Sequence, residues 1–228
     1  MNSTKKMART AGFLYLIIVI TGIFNLMYVP GKLFVHGNSS ITINNILASQ
    51  LLYRTDMFIS LVSSIVFLFL AIALYRLFKE VSQEISAIMV ILVIIQTPFA
   101  FLEVLNQMVT LELARGAPFF SVFDASQREA LAFLFLQINS LSVTASYLFW
   151  GLWLFPLATL VSRSGYIPKF LGVWLILNGL TYLVLCLTGF FLPQYLDTVN
   201  KFSFPFLFGE VAFTFWLLIK GVKVSQVT

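Results

Sequence analysis

Cysteine and histidine are almost missing from this 228-residue sequence, where Cys186 and His36 each stand alone. A single cysteine forbids an internal disulfide and a cysteine-based metal cluster. A single histidine excludes a helix that presents two imidazoles to a metal, and it would leave a Ser-His-Asp triad to be built on one loop residue. Charge is scarce too: 10% of the residues are Asp, Glu, Lys or Arg, whereas a soluble domain carries roughly 25%. That scarcity argues against a water-soluble fold. The net charge of +5 does not point to nucleic acid, because the lysines and arginines stand singly or in small groups at the ends of apolar runs. No metal or organic cofactor is expected, and the expected partner is the lipid bilayer.

What the chain has in abundance is apolar length. Sixty per cent of its residues are hydrophobic, arranged in runs long enough to cross about 30 Å of hydrocarbon as helices at about 1.5 Å per residue. The runs predict an all-α polytopic membrane protein with spans at about 10–30, 53–75, 85–113, 130–161, 170–192 and 202–219. Together they form a six-transmembrane-helix bundle, read as a single transmembrane domain over 1–228. Between the first two spans, Ile43, Ile46 and Leu47 fall at helical spacing and predict a short interfacial helix. Pro30-Gly31 is expected to end the first span, and Ser126-Gln127-Arg128-Glu129 reads as a capping box opening the fourth.

The third span departs most from plain lipid-facing helix, since it carries Gln96, Pro98, Glu103, Asn106, Gln107 and Thr110. The offsets from Gln96 place Glu103, Asn106, Gln107 and Thr110 on one helical face. Pro98 cannot donate to the Ile94 carbonyl, so a kink is expected there. Other spans carry smaller polar sets. Thr21, Asn25 and Tyr28 form a stripe in the first, for which helix packing is weighed above ligand contact; Ser60, Ser63 and Ser64 follow Asp56 along one face of the second. Gln137, Ser140, Thr144 and Tyr147 share a face of the fourth, where Ser142 and Ser146 offer a small-xxx-small contact and Pro156 predicts a bend. The fifth span holds Asn178, Thr181 and Tyr182, and the sixth Glu210 with Thr214 one turn on.

Charge sets an orientation for six spans. Lys5, Lys6, Arg9, Arg76, Lys79, Arg163, Lys169, Lys220 and Lys223 fall on one side, and Lys32, Arg54, Arg115, Arg128 and Lys201 on the other. The excess marks the cytoplasmic side, so both termini are expected inside. Asn25, Glu103, Gln137 and Glu210 would then share a level about 5 to 15 Å below the outer ends of their helices. An ionisable group at membrane depth is a functional hypothesis by default, with its partner to be named. Arg54, entering from the same side, is the expected counter-ion of Glu103 or Glu210.

Four segments carry a family resemblance: Ala8-Arg9-Thr10-Ala11-Gly12-Phe13-Leu14-Tyr15; Asn45-Ile46-Leu47-Ala48-Ser49 with Tyr53-Arg54; Ser164-Gly165-Tyr166-Ile167-Pro168-Lys169; and Gly209-Glu210 with Trp216-Leu217-Leu218-Ile219-Lys220-Gly221. In their order and spacing the chain resembles a bacterial membrane family catalogued as domain of unknown function 4386. The resemblance implies an integral protein of the bacterial inner membrane with no established activity, and it brings Arg54 and Glu210 into matching segments. Three functions remain open. The first is a small transporter or binder with an outward polar pocket built from Asn25, Arg54, Glu103, Asn106, Gln107, Gln137 and Glu210, its glutamates carrying a proton or holding a cationic or polar ligand. The second is a structural or accessory protein whose arginine and glutamates only hold the bundle together. The weakest is an intramembrane enzyme with two carboxylates as acid and base, for which no nucleophile with an adjacent base is present.

Overall fold

The computed structural model describes residues 3–35 and 37–222; His36 and Lys223 lie outside the described residues. Ten α-helices are present and no strand occurs among the described residues: α1 Ser3–Ile23, α2 Val29–Leu33, α3 Ser39–Ala48, α4 Gln50–Phe78, α5 Gln83–Arg115, α6 Ala125–Leu152, α7 Leu154–Ser164, α8 Lys169–Phe191, α9 Leu196–Ser203 and α10 Phe208–Ile219. Merged across their short irregular joints, they give six helical stretches long and apolar enough to cross a membrane. The outward faces are correspondingly apolar, with Phe13, Ile91, Leu105, Val173 and Leu187 among many exposed hydrophobics. In hydrocarbon only helices or closed barrels satisfy the backbone, so this surface suits lipid.

Local chemistry moves several expected boundaries. Pro30 does not end the first span: a π-helical turn over Phe24–Tyr28 precedes it and the chain coils on to Leu33. Pro30 is the second residue of α2, directly after this turn, in which Val29 N donates to the Phe24 carbonyl; the bond that Pro30 cannot donate is lost where the helical ladder is already irregular. The capping box lies earlier than Ser126, because Asp124 Oδ1 accepts from Gln127 N at 2.8 Å while Gln127 Oε1 accepts from Asp124 N at 3.0 Å. Glu129, freed from that role, accepts from Ser40 Oγ. Helix α5 continues through Pro98, whereas the fourth span parts at Trp153, one turn before Pro156. Gly165, at φ 72°, takes the left-handed position that closes α7. The last span is also not one helix: Pro205 lies in a 3₁₀ turn over Phe204–Leu207, so Glu210 falls in the first turn of α10.

The chain divides into two compact units. One is drawn from Met1–Val19, Ile65–Thr97 and Thr144–Thr228, the other from Ile20–Ser64 and Pro98–Val143. In the first, Tyr15, Leu70, Leu74, Phe78, Trp153, Leu157, Leu175, Phe213 and Leu217 form the buried centre. In the second, Val29, Leu33, Ile46, Tyr53, Met57, Val104 and Leu111 pack together, with Ile43, Leu113 and Ala132 beside them. The expected helix before the second span is α3; Asn38 caps it, its Oδ1 accepting from Ile41 N, and Ile43 and Ile46 are its buried face.

Candidate functional site

In the first unit the polar centre is Glu210. Helix α10 approaches α8 closely because Gly209 carries no side chain: a Cβ there would stand 3.0 Å from the Trp174 carbonyl oxygen. One turn along α8 from Trp174, Asn178 meets the next residue of α10, its Nδ2 donating to Glu210 Oε1 at 3.0 Å. Tyr15 Oη donates to Glu210 Oε2 at 2.5 Å. The phenol is fixed because the Tyr15 ring is fully buried, 5.8 Å from Trp153 and 6.0 Å edge-on from Phe213. Tyr182, a further turn along α8 from Asn178, is the third polar neighbour of the carboxylate. Three helices thus converge on one carboxylate with neutral groups, and no lysine or arginine pairs with it among the described residues. Asn178 Oδ1 is left without a hydrogen-bond partner although Asn178 is fully buried.

The second unit contains a comparable centre at Asp56, which is 4% exposed. Gln107 Nε2 donates to Asp56 Oδ2 at 2.9 Å. Tyr53 lies one turn before Asp56 on α4, and Thr110 one turn after Gln107 on α5, so two i, i+3 pairs face each other. Thr110 Oγ1 donates to the Asn106 carbonyl at 2.9 Å. Three oxygens of the group lack a partner while buried: Tyr53 Oη, Asp56 Oδ1 and Gln107 Oε1. Among the described residues no basic side chain pairs with Asp56.

The seven residues expected to share one pocket come from both compact units. Glu210 belongs to one compact unit, and Asn25, Arg54, Glu103, Asn106, Gln107 and Gln137 to the other. Gln107 serves Asp56. Asn25 Nδ2 donates to Ser60 Oγ at 3.0 Å, and Thr21 Oγ1 lies 2.9 Å from Ser63 Oγ, so these two residues of the first-span stripe pack against α4, while Tyr28 is 50% exposed. Gln137 is exposed, while Glu103 and Asn106 are part-buried on α5.

The expected counter-ion role of Arg54 is not what the structure has. Arg54 Nη2 lies 3.6 Å from Glu112 Oε1, with side-chain exposures of 49% and 35%, and Arg115 Nη1 reaches the same oxygen at 3.2 Å. An arginine so exposed keeps its hydration and does not carry the burial cost that motivated the pairing. Exposed pairs contribute about 0 to 1 kcal/mol, so Arg54→Leu should change the unfolding free energy by no more than about 1 kcal/mol. Thermal unfolding in detergent measures this, and a loss several times larger would restore a structural role for the guanidinium.

In the sequence Asp56 only heads the serine face of the second span, and no site role is expected of it. The signal that finds its partner is the connection between α4 and α5, four residues long, which forces an antiparallel hairpin. Asp56 stands 22 residues before Phe78 and Gln107 stands 24 after Gln83, so hairpin register alone brings them level.

Six apolar helical stretches and two carboxylates set among neutral donors within them define a multi-pass, all-helical membrane protein. The chain belongs to the family described as Domain of unknown function (DUF4386), which matches residues 10–221. It is similar to a protein of Archaeoglobus fulgidus described as "Uncharacterized protein", 32% identical over 157 residues that cover 69% of this chain and 78% of the relative. No solved structure matches.

Proposed function

We propose that this protein is a small membrane carrier or binder that takes a proton or a cationic ligand on Asp56 and Glu210. The observation that carries the reading is the donor set: each carboxylate is held by amide or phenol groups and, among the described residues, by no cation. A carboxylate so placed must have its charge balanced by something that arrives, because an uncompensated ion in hydrocarbon costs several kcal/mol by typical measures. The test is proton entry into liposomes holding purified protein and a pH-sensitive dye, driven by a potassium diffusion potential. Flux above protein-free liposomes is expected, with Asp56→Asn and Glu210→Gln each reducing it about tenfold or more, a loss of transition-state stabilisation of about 1.4 kcal/mol or more. Flux at the protein-free level, with an added organic cation also failing to raise thermal stability, would sink the proposal.

A structural reading is favoured by one observation. Both oxygens of Glu210 already accept hydrogen bonds, from Tyr15 on α1 and Asn178 on α8, so the carboxylate ties α10 to two other helices. Under that reading Glu210→Gln lowers stability and no flux is ever detected.

The location consistent with the charge pattern is a cytoplasmic membrane with both termini inside. Reporter fusions after Lys79 and Ser164 should behave as cytoplasmic, and fusions at Gly116 and Asp197 as external. A cytoplasmic signal from Gly116 would reverse the orientation.

A further inference from the structure

The first unit holds a cavity of about 560 Å³ where the start of α1, the end of α4 and the end of α7 meet; Arg76 and Arg163 reach it from α4 and α7, with Thr4, Met7, Glu80 and Tyr166 also in its lining. We propose that this cavity seats the phosphate of an anionic glycerophospholipid, held between the Arg76 and Arg163 guanidinium groups.

Four features support it. Neither arginine has an ion-pair partner among the described residues, although both stand in one cavity. Glu80, the carboxylate in the lining, has its ion pair with Lys79 at 3.8 Å and none with either arginine among the described residues. Planar guanidinium forks match phosphate oxygens in a way that a lone ammonium does not. Tyr166 is a fixed wall: its hydroxyl donates to the Leu77 carbonyl at 3.1 Å and its ring stacks 6.1 Å from Phe78.

An arginine in the last turn of a helix is also favoured by the helix dipole and by membrane topology. Those effects account for each arginine at its own helix end, but not for the two converging on one cavity. The choice of a lipid over free phosphate rests on α4. Phe69, 58% exposed, and Ile72, 40% exposed, stand 7 and 4 residues before Arg76 on one face, an apolar path along which an acyl chain can run from the arginine. Basic pockets between spans are a recurrent setting for anionic headgroups.

The test measures the melting temperature of the purified full chain in detergent with phosphatidylglycerol, phosphatidylcholine or sodium phosphate added. Phosphatidylglycerol should raise it by about 4 °C or more, and phosphatidylcholine and sodium phosphate should not. Arg76→Gln/Arg163→Gln should cut the rise to less than a third, while Lys169→Gln/Lys220→Gln, which removes the same charge from outside the cavity lining, should preserve it. Should the glutamine pair fail to fold, Arg76→Lys/Arg163→Lys keeps the charge and should still lose half of the rise or more. An equal rise with phosphatidylcholine, an equal rise with phosphate alone, or a rise that survives in both arginine variants would each overturn the proposal. So would equal loss in the Lys169/Lys220 variant, which would make the effect one of diffuse surface charge. None of these outcomes bears on carriage at Asp56 and Glu210.

Discussion

Gln107→Leu should lower the unfolding free energy by roughly 3 kcal/mol, although it exchanges one side chain for another of similar size inside an apolar bundle. Gln107 Nε2 is the donor that holds Asp56 Oδ2, and Asp56 Oδ1 has no partner at all. Leucine would leave the 4%-exposed carboxylate without a hydrogen bond, and the cost of an orphaned buried charge exceeds the worth of the bond itself. The double variant Asp56→Leu/Gln107→Leu should recover most of the loss, because removing both partners leaves no polar group to be desolvated. Equilibrium unfolding in mixed detergent micelles measures both. The cycle also bears on function: recovery of stability with proton flux still absent assigns Asp56 to the carrier, and recovery in a protein that never showed flux assigns it to the scaffold. A Gln107→Leu variant as stable as the parent would mean that Asp56 reaches water or another partner, and both readings of the cluster would fall.

The ease with which the sequence yields the spans and the difficulty of extracting the site have one physical origin. Span length depends on bilayer thickness and rise per residue, which are properties of a single helix, so the apolar runs alone place all six. A site depends on which faces meet. The polar face of α5 was visible from Glu103, Asn106, Gln107 and Thr110, yet its main partner, Asp56, looked like an ordinary charge at a helix start. Depth along a helix, which singles out Arg54 two residues earlier as a counter-ion, leaves the azimuth of its side chain undetermined. In the structure Arg54 pairs with Glu112 near the exposed end of the hairpin. Register between α4 and α5 was recoverable from their short connection. Register between α1, α8 and α10 was not: Tyr15 and Glu210 are separated by 195 residues, and the irregular stretch around Pro193 and Pro205 conceals where α10 begins.

Small residues show the same limit. Ser142 and Ser146 were the expected close contact in the fourth span, and Ser146 is indeed buried, but Ser142 Oγ donates back to the Ile138 carbonyl of its own helix. The closer approach is one turn beyond, where α6 meets α8 at two glycines. A Cβ at Gly151 would stand 2.8 Å from the Gly179 carbonyl oxygen, and one at Gly179 would stand 3.0 Å from that of Gly151. Nothing about either glycine in the sequence distinguishes it from Gly22, around which a Cβ would meet nothing within 4 Å.

Gly151→Ala should therefore destabilise the protein by about 1 to 3 kcal/mol, the usual cost of overpacking, while Gly22→Ala should leave stability unchanged or raise it slightly, as expected for a glycine in a helix with free space. The asymmetry follows from the medium. Between helices in lipid there is no hydrophobic driving force to offset a clash, so association relies on close backbone contact and on the hydrogen bonds it permits. Gly179 directly follows Asn178, whose amide holds Glu210 Oε1. A methyl group at Gly151 must push α8 away through the Gly179 carbonyl, and α8 carries Asn178 with it. The expected result is a coupled loss: a lower melting temperature together with altered behaviour at Glu210. The coupling is measurable as a cycle between Gly151→Ala and Glu210→Gln, where the double variant should lose about 0.5 kcal/mol or more less than the sum of the singles. Strict additivity would mean that the glycine contact and the carboxylate act independently, and that α8 absorbs the methyl without moving Asn178.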